Sequence, residues 1–266
     1  MLHEILLSLS GHPSPLLRLP GAAGAHDDTL GSSSSVISPS ERTLLTSLAH
    51  LSDLHIKLIS FAAQIAASHP SIICRAVAAA IDSVHLAAFQ RKVLEVEDTI
   101  LRKDAGLVGA YNIVPLTAVV GEFDGWTKRM EWLWDLVQFM LKSEKPRADL
   151  GPMKRCTGSM VIDRLRNELQ TGYPDIEEMA RSLVAVAEVA WLKQVSAWIL
   201  YGKLPSFGAD DFFVQASEDS EEVWSLTSQL VFIGLTWYRN TCASTACYRR
   251  LLQHRQRPRC CSLGGR

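Results

Sequence analysis

The strongest constraint on this chain is a leucine ladder with a marked starting point. Leu44, Leu45, Leu48, Leu51, Leu54 and Leu58 recur in steps of three and four, which puts them on one face of an α-helix. Just upstream, Ser38, Pro39 and Glu41 form a capping-box pattern with proline at the first helical position. Their side chains would satisfy backbone N–H groups that a first helical turn leaves free. A long helix with such a face has to bury it against other helices. The spacing predicts a mainly helical chain with no sheet larger than a hairpin.

The rest of the chain repeats the same grammar. Residues 2–10 read as a short amphipathic helix ended by His12, Pro13 and Pro15. Residues 18–37 are rich in Gly, Ala and Ser and read as a loop. His69-Pro70 breaks the leucine helix. A second long helix is expected over 71–103, with Ile73, Val77, Ile81, Val84 and Phe89 inward and Arg91, Lys92, Glu95 and Glu97 outward. A third is expected from about 112 to 142, bent near Gly121–Gly125, carrying Trp126, Met130, Leu133, Trp134, Val137 and Leu141. Residues 143–155 form a polar connector, and a shorter helix follows at about 157–170, stopped by Gly172.

The last helix should begin near Pro174, with Asp175, Glu177 and Glu178 set against the positive end of its dipole. Gly202 suits a left-handed stop. Its seam of Val195, Trp198 and Ile199 reads as buried. Beyond the stop, Pro205 and Gly208 form a linker, and Asp210, Asp211, Phe212, Phe213 and Val214 return the chain to the protein. Only Phe212–Val214 reads as extended.

Composition narrows the function classes. Hydrophobic residues make up 47% of 266, so the chain should fold. The formal net charge of −1 gives no basic field for nucleic acid or anionic lipid. Leu183–Leu200 is apolar but carries Glu188 and Lys193, so it reads as a buried helix rather than a membrane span. The apolar run Ile5–Leu9 follows Glu4 and lacks a basic flank, unlike a signal peptide. The six cysteines, Cys74, Cys156, Cys242, Cys247, Cys260 and Cys261, are sparse over the body, as in a reducing compartment.

Catalytic patterns are missing. There is no phosphate-binding Gly-x-x-x-x-Gly-Lys loop, no His-Glu-x-x-His and no Gly-x-Ser-x-Gly. His50 and His55 are scattered singletons rather than a metal pair. Adjacent Asp210 and Asp211 point apart and read as a loop cap or surface charge. Cys242, Cys247, His254, Cys260 and Cys261 do not have the usual zinc spacing. No catalytic, cofactor-binding or metal residue is therefore assigned. Trp134 and Trp198 read as core. Trp132 falls off the apolar stripe of its helix and is a candidate interface anchor.

The tail differs from the body. After Glu222 there is no acidic residue, after Lys203 every strongly basic residue is arginine, and four of the six cysteines fall there. Residues from about 235 onward are expected to come from a shifted reading frame or a retained intron, with a genuine basic splice form as the alternative. The tail should be disordered or loosely helical.

Several segments together resemble a known family. The spacing Leu192-x-x-Val195-x-x-Trp198-Ile199-x-x-Gly202-x-Leu204 followed by Asp-Phe-Phe-Val, the opening MLHEILLSLSGHPSPLL, and the blocks ISPSERTLLTSLAHLSDLHIKLISF and WTKRMEWLWDLVQFMLKS are similar to the gamma-tubulin complex components, or spindle pole body components. Their order from Met1 is most like the short form, component four. The resemblance covers residues 1–230, and 231–266 would be an atypical tail outside the domain. It implies an all-α N-terminal domain of long helices packed in bundles. It also implies a structural, non-enzymatic component with no cofactor, making lateral contacts with other components of the ring that templates microtubules. Gamma-tubulin would be reached only through the complex, because the family's second domain is missing here. Cytoplasm and the microtubule-organising centre or spindle pole follow as its location, with no nucleic-acid or membrane partner. In the first helix Leu2 and Ile5, with Trp132, are the candidate partner-facing residues. A generic helical adaptor is the rival reading.

Overall fold

The structure, a computed structural model, describes residues 2–14, 17, 38–109, 113–141, 156–202, 207–208, 211–212, 214–216 and 224–226. The chain forms two compact units, Met1–Asp211 and Phe212–Arg266. The first is all helix among its described regular elements. In order these are α1 (Leu2–Leu9), α2 (Pro39–Ser68), α3 (Ile72–Ala80), a π-helical segment (Ile81–Leu86), α4 (Ala87–Leu101), α5 (Leu116–Leu141), α6 (Gly158–Glu168) and α7 (Pro174–Tyr201).

Helix α2 is the spine. Ser38 caps it as the spacing predicts: its hydroxyl accepts the Glu41 N–H at 3.3 Å, and the Ser38 N–H donates to Glu41 Oε2 at 3.0 Å. Leu45, Leu48, Leu51, Leu54 and Leu58 are buried, and Leu44 is half-buried. Against this spine pack α5, α3 and the short α1, while α6 pairs with α7 and α3 packs on α7. Helix α1 is pinned by a buried hydroxyl pair. Ser52 Oγ donates to the Ser8 carbonyl at 2.8 Å, so the 2.7 Å contact between the two hydroxyls is Ser8 donating to Ser52.

The second long helix departs from its expected face. It runs continuously from Ile72 to Leu101, but Ile81–Leu86 is a π turn. A π turn inserts an extra residue into the helical period. The inward slot therefore passes from Val84, which is 48% exposed, to His85 and Leu86, at 9% and 1%. Ile73, Val77, Ile81 and Phe89 are buried as expected. His85 then reaches α7. Ser182 Oγ spends its only proton on the Met179 carbonyl at 2.8 Å, so it accepts from His85 Nε2–H at 2.9 Å.

Helix α7 ends at Gly202 with φ +67°, the left-handed stop its glycine predicts. The expected seam is corrected here. Val195 is buried, but Trp198 is only half-buried and Ile199 is 39% exposed. Trp191, at 8% exposed, is the core tryptophan of this helix. Trp134 is likewise half-buried, packed at 5.4 Å from Phe61 with the Lys57 ammonium 5.9 Å from its ring.

The second unit contains one described hairpin. Strand β1 (Val214–Ala216) pairs antiparallel with β2 (Trp224–Leu226), in the register Val214↔Leu226, Gln215↔Ser225 and Ala216↔Trp224. The extended reading of Phe212–Val214 was displaced by two residues, and β2 had no signal beyond its Trp. The loop at 18–37, most of the 143–155 connector and the tail after Leu226 lie outside the described residues.

Candidate interaction surface

Helix α7 carries apolar side chains on its covered and on its open side. Its inner side is spent on Met179, Ala180, Leu183, Val184, Ala187, Trp191 and Val195. Its other side leaves Val189 50%, Leu192 43%, Ile199 39% and Leu200 70% exposed. At about 100° per residue these four fall within roughly a third of the helix circumference. Two helical stretches, Ile72–Leu101 and Pro174–Tyr201, are long and apolar enough to cross a membrane by length and composition. In the second, Glu188 pairs with Arg166 of α6 at 2.7 Å, with both side chains largely covered.

None of the residues proposed from sequence as partner-facing is fully exposed. Ile5 is fully buried, because α1 uses it with Leu6 and Leu9 to dock on the body, so it offers a partner no surface. Leu2 and Trp132 are half-buried. Leu7, at 42% exposed, is the outward apolar residue of α1.

The return segment is fastened to the body by a buried polar knot. Pro70 drives His69 out of the helical region, to φ −69° and ψ 136°, which ends α2. The Ser71 N–H then donates to His69 Nδ1 at 3.1 Å, and Ser71 caps α3 by accepting the Cys74 N–H at 3.1 Å. Arg75 Nε donates to the Ala66 carbonyl at 2.7 Å, and its guanidinium stacks 5.1 Å from Phe207. Asp211 reaches the start of α6, where Oδ1 accepts the Gly158 N–H at 2.8 Å. Thr157, the residue at the cap position, makes no capping bond itself, so Asp211 supplies the cap from across the chain. Of the two readings of Asp211, the loop cap is the right one; at 8% exposed it is not a surface charge. Asp210 lies outside the described residues.

Gly158 is where α6 touches α3. A Cβ built there would sit 2.6 Å from Ile73 Cδ1 and 2.7 Å from Ile73 Cβ, so only glycine fits without movement. The same approach brings Cys74 of α3 and Cys156, just before α6, together. Both are buried and reduced. Interaction with Cys156 and burial push the Cys74 thiol up, while the Cys74 S–H draws the Cys156 thiol down against its own burial. Burial alone would lower His69, but its contacts with Cys74, the Asp211 charge and the Met140 carbonyl hold it above its usual value. No spacing in the sequence pairs Cys74 with Cys156, and His69 reads there only as a helix breaker. Among the described residues, no group of three or more His, Cys, Asp or Glu side chains is arranged to hold a metal ion.

A helical spine with outlying helix pairs, closed by an acidic return segment after a glycine stop, fits the resemblance carried by the sequence. The chain matches the family described as gamma tubulin complex component N-terminal over residues 2–248. The chain belongs to this family. It is similar to human gamma-tubulin complex component 4, with 22% identity over 238 residues, covering 84% of this chain and 32% of that protein. It therefore spans about a third of the length of that relative.

Proposed function

We propose that this chain is a structural component of a gamma-tubulin complex and makes side-by-side contacts with other components. The family match over nearly the whole chain carries this reading. The exposed stripe of Val189, Leu192, Ile199 and Leu200 supports it, because another component of the complex would bury that apolar surface. Its place is the cytoplasm, at the microtubule-organising centre or spindle pole of the cytoskeleton. It works without catalysis, cofactor, nucleic acid or membrane. Residues 1–230 act as the lateral-contact domain and 231–266 as an atypical tail outside it, with the family match running on to residue 248. Gamma-tubulin is reached through the complex rather than by this chain alone.

Pull-downs with separately purified components and with gamma-tubulin test the proposal. Capture of another component, without capture of gamma-tubulin alone, is expected. Direct retention of gamma-tubulin contradicts the lateral assignment. Binding to neither favours a generic helical adaptor, and flotation with liposomes favours the membrane reading of α7.

A further inference from the structure

We propose that Cys74 and Cys156 form a redox-modification site: a peroxide-class oxidant converts them to a disulfide that staples α3 to α6. The proposal stands on where the fold puts them. Ile73 and Gly158 approach so closely that a Cβ at position 158 would lie 2.6 Å from the Ile73 side chain. Cys74 follows Ile73 in the chain, and Cys156 stands two residues before Gly158. Ser71 fixes Cys74 through its N–H, Cys156 Sγ contacts the Thr157 carbonyl at 3.7 Å, and Asp211 fixes the Gly158 N–H. The thiols interact directly, and neither has another cysteine among the described residues to pair with.

The roles of the two sulfurs differ. Cys156 is the first nucleophile, because the Cys74 S–H, helped by the Arg164 guanidinium, lowers its thiol against burial and the Asp211 charge. The thiolate attacks one peroxide oxygen, the O–O bond breaks, and the leaving hydroxide takes a proton to become water. Cys156 is then a sulfenic acid. Cys74, whose thiol is pushed up by Cys156 and by burial against the His69 ring and the Ser71 hydroxyl, keeps its proton and is the resolving thiol. It attacks the Cys156 sulfur, the S–O bond breaks, and the Cys74 proton leaves with the hydroxide as a second water. Each sulfur gives up one electron, and the peroxide takes both. A thiol reductant reverses the bond.

The test uses the full chain, reduced and then treated with hydrogen peroxide. Free thiols are alkylated, the protein is digested with trypsin, and peptides are sequenced by mass spectrometry. The expected product joins the peptide from Leu58 to Arg75 with the peptide from Cys156 to Arg164. It should be lost on dithiothreitol treatment and absent in Cys74→Ser and Cys156→Ser. Cys74→Ser should still accumulate a dimedone-reactive sulfenic acid at Cys156, whereas Cys156→Ser should not do so at Cys74. The oxidised chain should melt higher than the reduced chain, at equal helical content by circular dichroism. Three results overturn the proposal: both thiols alkylated with no linked peptide, a link that forms only in denaturant, or linkage of either residue to the tail cysteines instead. Protection of both thiols by added zinc alone would also overturn it, in favour of a metal site.

Discussion

At the scale of single residues, identical substitutions should have opposite outcomes at different glycines. Gly158→Ala forces a methyl group into the Ile73 side chain, and overpacking of this kind costs about 1–3 kcal/mol. Gly121 and Gly125 lie within α5 with nothing within 4 Å of a built Cβ. Alanine at either should stabilise by roughly 0.5–1 kcal/mol, because glycine loses more backbone freedom in a helix. Urea unfolding of the three variants reads both signs. His55 supplies a pH dependence. It is fully buried, with its ring edge-on to Phe89 at 4.9 Å, and neither nitrogen has a hydrogen bond of normal geometry. Burial lowers its pKa from 6.5 against the raising effect of the Leu9 carbonyl, and burial with the Arg129 charge lowers that of His85. A lowered histidine contributes stability that is present above 6.5 and lost as pH falls through the folded value. His69, which is raised, has the opposite sign and gives back part of this loss below 6.5. The wild type should therefore lose stability between pH 7 and pH 5. His55→Leu should flatten that profile without loss of stability at pH 7, as chemical denaturation at each pH would show.

At the scale of elements, the tryptophans of α7 separate surface from core. Trp191→Ala should cost roughly 3–5 kcal/mol, the usual range for emptying a buried aromatic site, and lower the melting temperature clearly. Trp198→Ala should cost distinctly less, because part of that ring already meets solvent. Equal costs would restore the buried seam read from spacing. What was legible follows from local chemistry. The Ser38 capping box, the Pro70 break, the Gly172 and Gly202 stops and the Pro174 start each depend on residues within a few positions, and each helix lies within a few residues of its expected place. What was not legible depends on the third dimension. Val84 looked inward because a constant helical period was assumed, and no residue type in Ile81–Leu86 announces the π turn. Ile199 looked inward because an apolar stripe does not say whether a neighbour covers it. The Asp211 cap on α6 and the thiol pair join residues far apart in the chain, so no spacing rule finds them.

At the scale of the whole molecule, the helices are joined by buried apolar contacts, with ion pairs only at the margins. Lys92 with Glu122 links α4 to α5, Arg129 with Asp175 links α5 to α7, and Arg166 with Glu188 links α6 to α7. The first two have a carboxylate open to solvent, and such pairs are worth about 0–1 kcal/mol each, while Arg166 with Glu188 is the more covered pair. The body should therefore keep its helical content in high salt, read by circular dichroism, while contacts made by surface charge would not. The apolar stripe on α7 is the surface that the proposed side-by-side contacts would bury. The most direct test of that account is sedimentation velocity of the purified chain mixed with each of the other gamma-tubulin complex components in turn. The account predicts a discrete complex with at least one component, lost in Leu192→Glu/Ile199→Glu at unchanged helical content. No complex between the wild-type chain and any component at micromolar concentration would contradict it.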